Sequence, residues 1–250
     1  MEQQKNLLQI IDLEHRYTRG AQEDVTFRGL RGEVREGELV CLIGRSGCGK
    51  STLLNIIAGF CPPVAGRCLL DGHPITRPGP DRGVVFQEDA LFPWLTVREN
   101  ITFGLKNSGD LTQSVAEMLE QVGLRDYGNH LPRALSGGMK QRVALARVLI
   151  RSPRILLMDE PFGALDAQTR EEMQDLLLRL MRDRRQTVIF VTHDVQEAVT
   201  LADRVWLMDR GVGTFTRELA VALPRPRDPS LPIFQDHCRK LHHWLRQNPA

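Results

Sequence analysis

The chain has 250 residues, 42% of them hydrophobic and 26% charged, and its 33 Lys and Arg against 31 Asp and Glu leave a net charge of +2. That length suffices for one α/β domain with a sizeable core and a smaller subdomain, and the near-neutral balance supplies no strong field for nucleic acid or an acidic substrate. The five cysteines form no CxxC pair, which reads as free thiols in a reducing compartment, not as a disulfide frame or a zinc site.

The N-terminal MEQQKNLLQIIDLEHRY holds only the apolar run LLQII before Asp12 and Glu14, shorter than a secretory leader requires. No stretch reaches the roughly 18 apolar residues of a membrane span. A soluble cytoplasmic protein is the expectation, with membrane attachment through a partner left open. Leu8, Ile10 and Leu13 and the run ELVCLIG (38–44) read as strands, with VTFRGLRGEV between them as antiparallel strands. Lys50 to Ala58 reads as a helix stopped by Gly59, and RCLLDG and RGVVFQ as short strands between turn residues. The region 88–153 lacks strand signals. Leu111, Val115, Met118, Leu119 and Val122 recur at helical spacing before Gly123, and a second helix follows Ser136 to about Ile150. The α/β rhythm then resumes with RILLM as a strand and an apolar helix opened by Asp166. TVIFV and RVWLMD are further strands, and a Pro- and Arg-rich tail ends in a short helix. Strands alternating with helices predict a mainly parallel sheet covered on both faces.

Two segments carry chemistry. GRSGCGKST, residues 44–52, satisfies G-x-x-x-x-G-K-[ST] directly after a buried strand and before a helix, the context that motif needs. Gly44, Arg45, Ser46, Gly47, Cys48 and Gly49 would turn backbone N–H groups toward phosphate oxygens. Lys50 would reach the terminal phosphates, Ser51 would bind Mg2+ and Thr52 would lie near the phosphates. Cys48 has two readings, a tolerated small residue or a thiol activated beside Lys50 and a helix start. In RILLMDEP, residues 154–161, a buried strand ends in two carboxylates, where α/β active sites collect. Asp159 would hold the Mg2+ and Glu160 would polarise an attacking water.

These motifs resemble those of the ATP-binding cassette ATPases, the motor subunits of ABC transporters. GRSGCGKST looks like their Walker A, RILLMDEP like their Walker B and LSGGMKQR (135–142) like their signature. Gln87 in VVFQED matches the Q-loop, GALD (163–166) with Asp166 the D-loop, His193 in VTHD the switch histidine, and Tyr17 the aromatic that stacks on adenine. The resemblance covers about residues 5–215. It implies a phosphate-loop NTPase of RecA-like α/β fold with an antiparallel β-subdomain and an inserted helical subdomain, the cofactors being ATP and Mg2+. It divides the chain into a first part of the core at 1–87, a helical subdomain at 88–153, a second part of the core at 154–215 and a short tail at 216–250. It implies a homodimer in which Ser136, Gly137 and Gly138 grip the γ-phosphate of the opposing subunit's ATP. Gln87 would join the Mg2+ shell, His193 would contact the γ-phosphate and Asp166 would line the site. Taken singly, Gln87, His193, Asp166 and Tyr17 are equally a strand-end glutamine, a surface histidine, a helix cap and a half-buried aromatic.

The apolar run Leu91 to Leu95 suits docking of a helix from another protein as well as internal packing. The resemblance assigns it to two transmembrane permease subunits, which places the chain on the cytoplasmic face of a membrane. GPDRGVVFQED, ALFPW, PFGALDAQTR and LPRPRDPS resemble importers of nitrate, sulfonates and taurine, which work with an extracytoplasmic solute-binding protein. The tail beyond 215 is expected to be too short for the regulatory domain that the resemblance associates with sugar or methionine importers. The alternatives are another ABC importer or exporter, a soluble cassette ATPase of DNA repair or translation, and a non-hydrolysing ATP-binding module.

Overall fold

The computed structural model describes residues 5–19, 22–105, 111–209 and 215–247; the first four residues of the N-terminal stretch lie outside them. In chain order the elements are β1 (Asn6–Arg19), β2 (Gln22–Arg35), β3 (Leu39–Gly44), α1 (Lys50–Ala58), β4 (Ala65–Leu70), β5 (His73–Pro74), β6 (Arg82–Val85), α2 (Val97–Thr102) and α3 (Thr112–Gln121). After two short 3-10 turns come α4 (Gly137–Leu149), β7 (Ile155–Asp159), α5 (Ala167–Arg184), β8 (Thr187–Val191), α6 (Val195–Leu201), β9 (Arg204–Met208), β10 (Phe215–Ala220) and α7 (Pro232–Gln247). Residues 1–79 with 187–250 form one compact unit and residues 80–186 another.

In the first unit an antiparallel sheet has the order β2-β1-β4-β5, with Leu13 opposite Leu30 and His15 opposite Phe27. A second set of strands has the order β10-β9-β3-β8, β3 running parallel to both β8 and β9. All of LVCLIG in β3 and TVIFV in β8 is buried. A parallel strand covered on both faces tolerates no alternation, hence the unbroken apolar runs. Each such Leu, Ile or Val contributes about 1.5–3 kcal/mol of burial free energy. Helix α1 follows β3 through a glycine turn and stops at Gly59, whose φ of 80° suits a left-handed cap.

In the second unit β6 and β7 pair in parallel. Between them every regular element among the described residues is helical. Helix α4 packs on α2 and β6 through a buried face that includes Val143, Ala146 and Leu149.

Three elements differ from the sequence expectation. VTFRGLRGEV lies within one 14-residue strand, not several. FTRELA, unremarkable as a sequence, forms β10 on the edge of β9. The terminal helix, expected to be short, has 16 residues, because Phe234, Cys238 and Leu241 recur at helical spacing and are buried.

Candidate functional site

Strand β3 delivers Gly44 to the edge of a turn that ends at the first residue of α1. Gly49 adopts φ 103° there, and a Cβ on it would come within 2.6 Å of Thr26 Cγ2. The start of α1 has no side-chain cap, so its leading N–H groups remain available to an anion. Lys50 is buried, and its Nζ donates to the carbonyls of Gly44 at 2.8 Å and Arg45 at 3.0 Å. The ammonium thus spans the loop from inside. Arg45, Ser46 and Gly47 are exposed, and a Cβ on Gly47 would meet nothing within 4 Å. Backbone donors, an uncapped helix start and a buried ammonium around an open turn fit a polyphosphate.

The same unit brings Tyr17 to this loop. Its hydroxyl lies 2.8 Å from Thr52 Oγ1, while the residue remains 52% exposed. His15, a residue that sequence reasoning missed, supports it: the two rings meet edge-on at 4.7 Å, and His15 Nδ1 lies 3.2 Å from Thr26 Oγ1. Burial lowers the His15 pKa, which favours a neutral imidazole. The period-2 pattern of β1 put His15 and Tyr17 on one face, and that was the available signal. His193 is exposed just beyond β8, directly before the N-cap of α6, Asp194.

In the second unit β7 ends at Asp159, and Glu160 follows with φ 45°. A non-glycine residue in this left-handed region costs about 1–3 kcal/mol and persists where its surroundings enforce it. Here Gly163 N donates to Glu160 O at 3.1 Å, closing a tight turn. Asp166 caps α5, accepting from Thr169 N at 3.0 Å and Thr169 Oγ1 at 2.7 Å. Those two bonds, the backbone one first, hold its carboxyl below the usual range. Ser136 caps α4 by accepting from Met139 N at 3.3 Å, which leaves its own hydroxyl proton to donate.

Nearby, a cavity of about 640 Å³ is lined by Gln87, Asp89, Gly137, Gln141, Pro161 and Leu165, and so takes in two of the predicted site residues, Gln87 and Gly137. The segment from Gln87, the start of α4 and the turn before α5 therefore face one space. Beside it, residues 92–96 wrap around Asn100, which the sequence did not single out. Its fully buried amide accepts from Phe92 N at 2.9 Å and donates to the carbonyls of Phe92, Leu95 and Thr96. That arrangement leaves Trp94 71% exposed while Leu91, Phe92 and Leu95 are partly covered. An asparagine three residues into a helix carried no visible signal, because its partners are loop carbonyls.

The activated-thiol reading of Cys48 is overturned. Cys48 is 1% exposed, and burial raises its pKa despite the neighbouring Lys50. We expect a maleimide to label Cys61, which is only partly covered, well before Cys48 in the native protein, as read by peptide mass mapping. Rapid labelling of Cys48 would contradict this.

Residues 27–163 match the ABC transporter family. The chain is 46% identical over 221 residues to a nitrate import ATP-binding protein of Synechocystis sp., covering 87% of this chain and 83% of that one. It is 48% identical over 207 residues to a bicarbonate transport ATP-binding protein of Synechococcus elongatus, covering 80% and 74% respectively. It superposes with a TM-score of 0.75 and 32% identity on the dimeric post-hydrolysis structure of an ATP-binding cassette bound to ADP and Pi, covering 87% of this chain and all of that one.

Proposed function

The chain belongs to the ABC transporter family as an ATP-hydrolysing subunit with the cassette form of the phosphate-loop NTPase fold, and from that premise we propose that it powers the import of a small anion. The observation that carries the proposal is a pair of glycine-bearing helix starts of different construction. One has an internal lysine and an uncapped helix start; the other, the start of α4, opens on Gly137 and Gly138 behind the Ser136 cap, with no lysine before or between them. A lysine-free turn suits a phosphate whose lysine another copy provides.

On this reading Lys50 and the backbone from Gly44 to Thr52 bind the phosphates, and Tyr17 stacks on the adenine. Ser136, Gly137, Gly138 and Asp166 of a second copy close over the terminal phosphate. Ser51, Gln87 and Asp159 offer hard oxygen donors of the kind Mg2+ takes; when bound, that ion neutralises charge on the phosphates. Glu160 accepts a proton from the attacking water, and His193 holds the terminal phosphate in register. ATP-driven closure of the two copies would move the permease subunits, and hydrolysis would release them. A dimeric relative holding ADP and Pi supports the sandwich.

Relatives named for nitrate and bicarbonate support a small anion as the solute, a class that also contains the sulfonates. The partly apolar surface around Trp94 is the proposed seat of a permease helix. No described helix is long and apolar enough to cross a membrane. The proposed place of the protein, beside the permease subunits, is the cytoplasmic face of their membrane. An extracytoplasmic binding protein completes the proposed complex.

The test is reconstitution with co-purified membrane and binding proteins. Nitrate, bicarbonate or a simple alkanesulfonate, offered separately, should raise ATP turnover severalfold for one solute, with uptake of that solute into vesicles. A complex that none of them stimulates would remove the anion-import reading.

A further inference from the structure

The C-terminal segment enters none of the steps above, yet it holds the helix that follows His193. Asp194 opens α6, accepting from Gln196 N at 2.8 Å and Glu197 N at 3.2 Å, and its own N–H donates to Thr192 Oγ1 at 3.0 Å. The histidine loop is thus fastened to a helix of seven residues. So short a helix satisfies few of its own carbonyls, and those at its end need outside donors.

They find them in the strap of residues 221–230. Arg227 Nη1 donates to the carbonyls of Val199 at 2.7 Å, Thr200 at 3.3 Å and Ala202 at 2.6 Å. Its Nε and Nη2 turn back to the carbonyls of Leu223 and Val221, at 3.1 and 3.0 Å. Arg225 donates to the carbonyl between them in sequence, that of Leu201, and pairs with Asp203 at 2.9 Å. Arg227 is buried, and burial followed by the like charge of Arg225 brings its pKa down to about 10. It therefore stays charged at neutral pH, against the negative end of a helix, where a cation is stabilised.

A second element of the tail also packs on α6. Helix α7 packs along it, with Phe234, Cys238 and Leu241 buried. Burial, and after it the negative charge of Asp194, pushes the Cys238 thiol up to about 11. The tail therefore grips α6 at its last carbonyls and packs against it through α7.

We propose that Arg227 and α7 are positioning elements for ATP hydrolysis, clamping α6 so that His193 is presented in one fixed placement. The inference rests on the reading of His193 as the residue that contacts the terminal phosphate. A lysine keeps the charge but cannot reproduce the planar fork that reaches carbonyls on two sides, so Arg227→Lys loosens the clamp without emptying the site of charge.

The experiment measures kcat and KM for ATP on the full chain for R227K, H193A and their combination, with R225Q as a second variant at the more exposed arginine. R227K should lower kcat about fivefold or more while KM and ATP affinity stay within about twofold, which is loss of a contribution made at the reacting stage. R225Q should change kcat in the same direction by a smaller factor, and it carries the test if R227K does not fold. In the H193A background R227K should cost nothing further, since residues acting as one unit are not additive. Wild-type kcat in folded R227K, or a KM rising in step with the loss of kcat, overturns the proposal. An equal loss with and without His193 overturns it too, while leaving the histidine's role intact. A full-rate H193A removes that role, and the inference with it.

Discussion

Replacing Glu160 with glutamine should lower ATP turnover by about two to three orders of magnitude, the scale of a lost general base, while ATP still binds. The expectation follows from where the residue sits. Strand β7 is buried up to Met158 and releases its two carboxylates at the edge. Glu160 is held there at φ 45° by the turn that returns Gly163 N to its carbonyl. Glutamine has the same shape and keeps the backbone bond, so neither the turn nor the phosphate loop should suffer. What it loses is the ability to take a proton. On the proposed reading the variant accumulates as an ATP-bound dimer, visible by sedimentation, and releases phosphate too slowly to separate. Wild-type turnover by E160Q would place the base elsewhere.

The second large effect should come from a single methyl group. A Cβ on Gly138 would lie 2.3 Å from Thr169 Cγ2. Thr169 has little room to give, because both its backbone N–H and its hydroxyl are bonded to the Asp166 carboxylate and β-branching stiffens its χ1. Gly138→Ala must therefore either shift the start of α4 or break the cap of α5, a cost of about 1–3 kcal/mol for an overpacked site. Both disturbed elements belong to the face proposed to close on the partner's ATP. We expect G138A to keep the ATP affinity of the single chain, to lose at least tenfold in turnover and to form little dimer with ATP. Thr169→Ser removes the offending methyl but keeps the hydroxyl that bonds Asp166. The G138A/T169S pair should recover most of the activity. Equal activity of the single and double variants would show that the clash is not what matters.

Much of this was legible in the chain itself. The phosphate loop, the strand that ends at Asp159 just before Glu160, and the helix starts at Ser136 and Asp166 are each written within a short consecutive stretch. Turn chemistry, capping and apolar periodicity act over that range, so neighbours in sequence specify them. Helix α1 begins at Lys50 and stops at Gly59 as its glycines demand. LVCLIG and TVIFV are buried strands because unbroken apolar runs have no other stable place in an α/β protein.

Tertiary structure decided the rest, wherever the partner lies far along the chain. It buried Cys48 and so raised a thiol that Lys50 alone would have lowered. Desolvation depends on what packs above a residue, not on what precedes it. It set Thr169 against Gly138, wrapped the loop before α2 around the Asn100 amide, and placed His15 behind Tyr17. It also turned a Pro- and Arg-rich tail into donors for the last carbonyls of α6. An arginine's hydrogen bonds to main-chain carbonyls leave no trace in composition or spacing, since every residue type offers the same carbonyl.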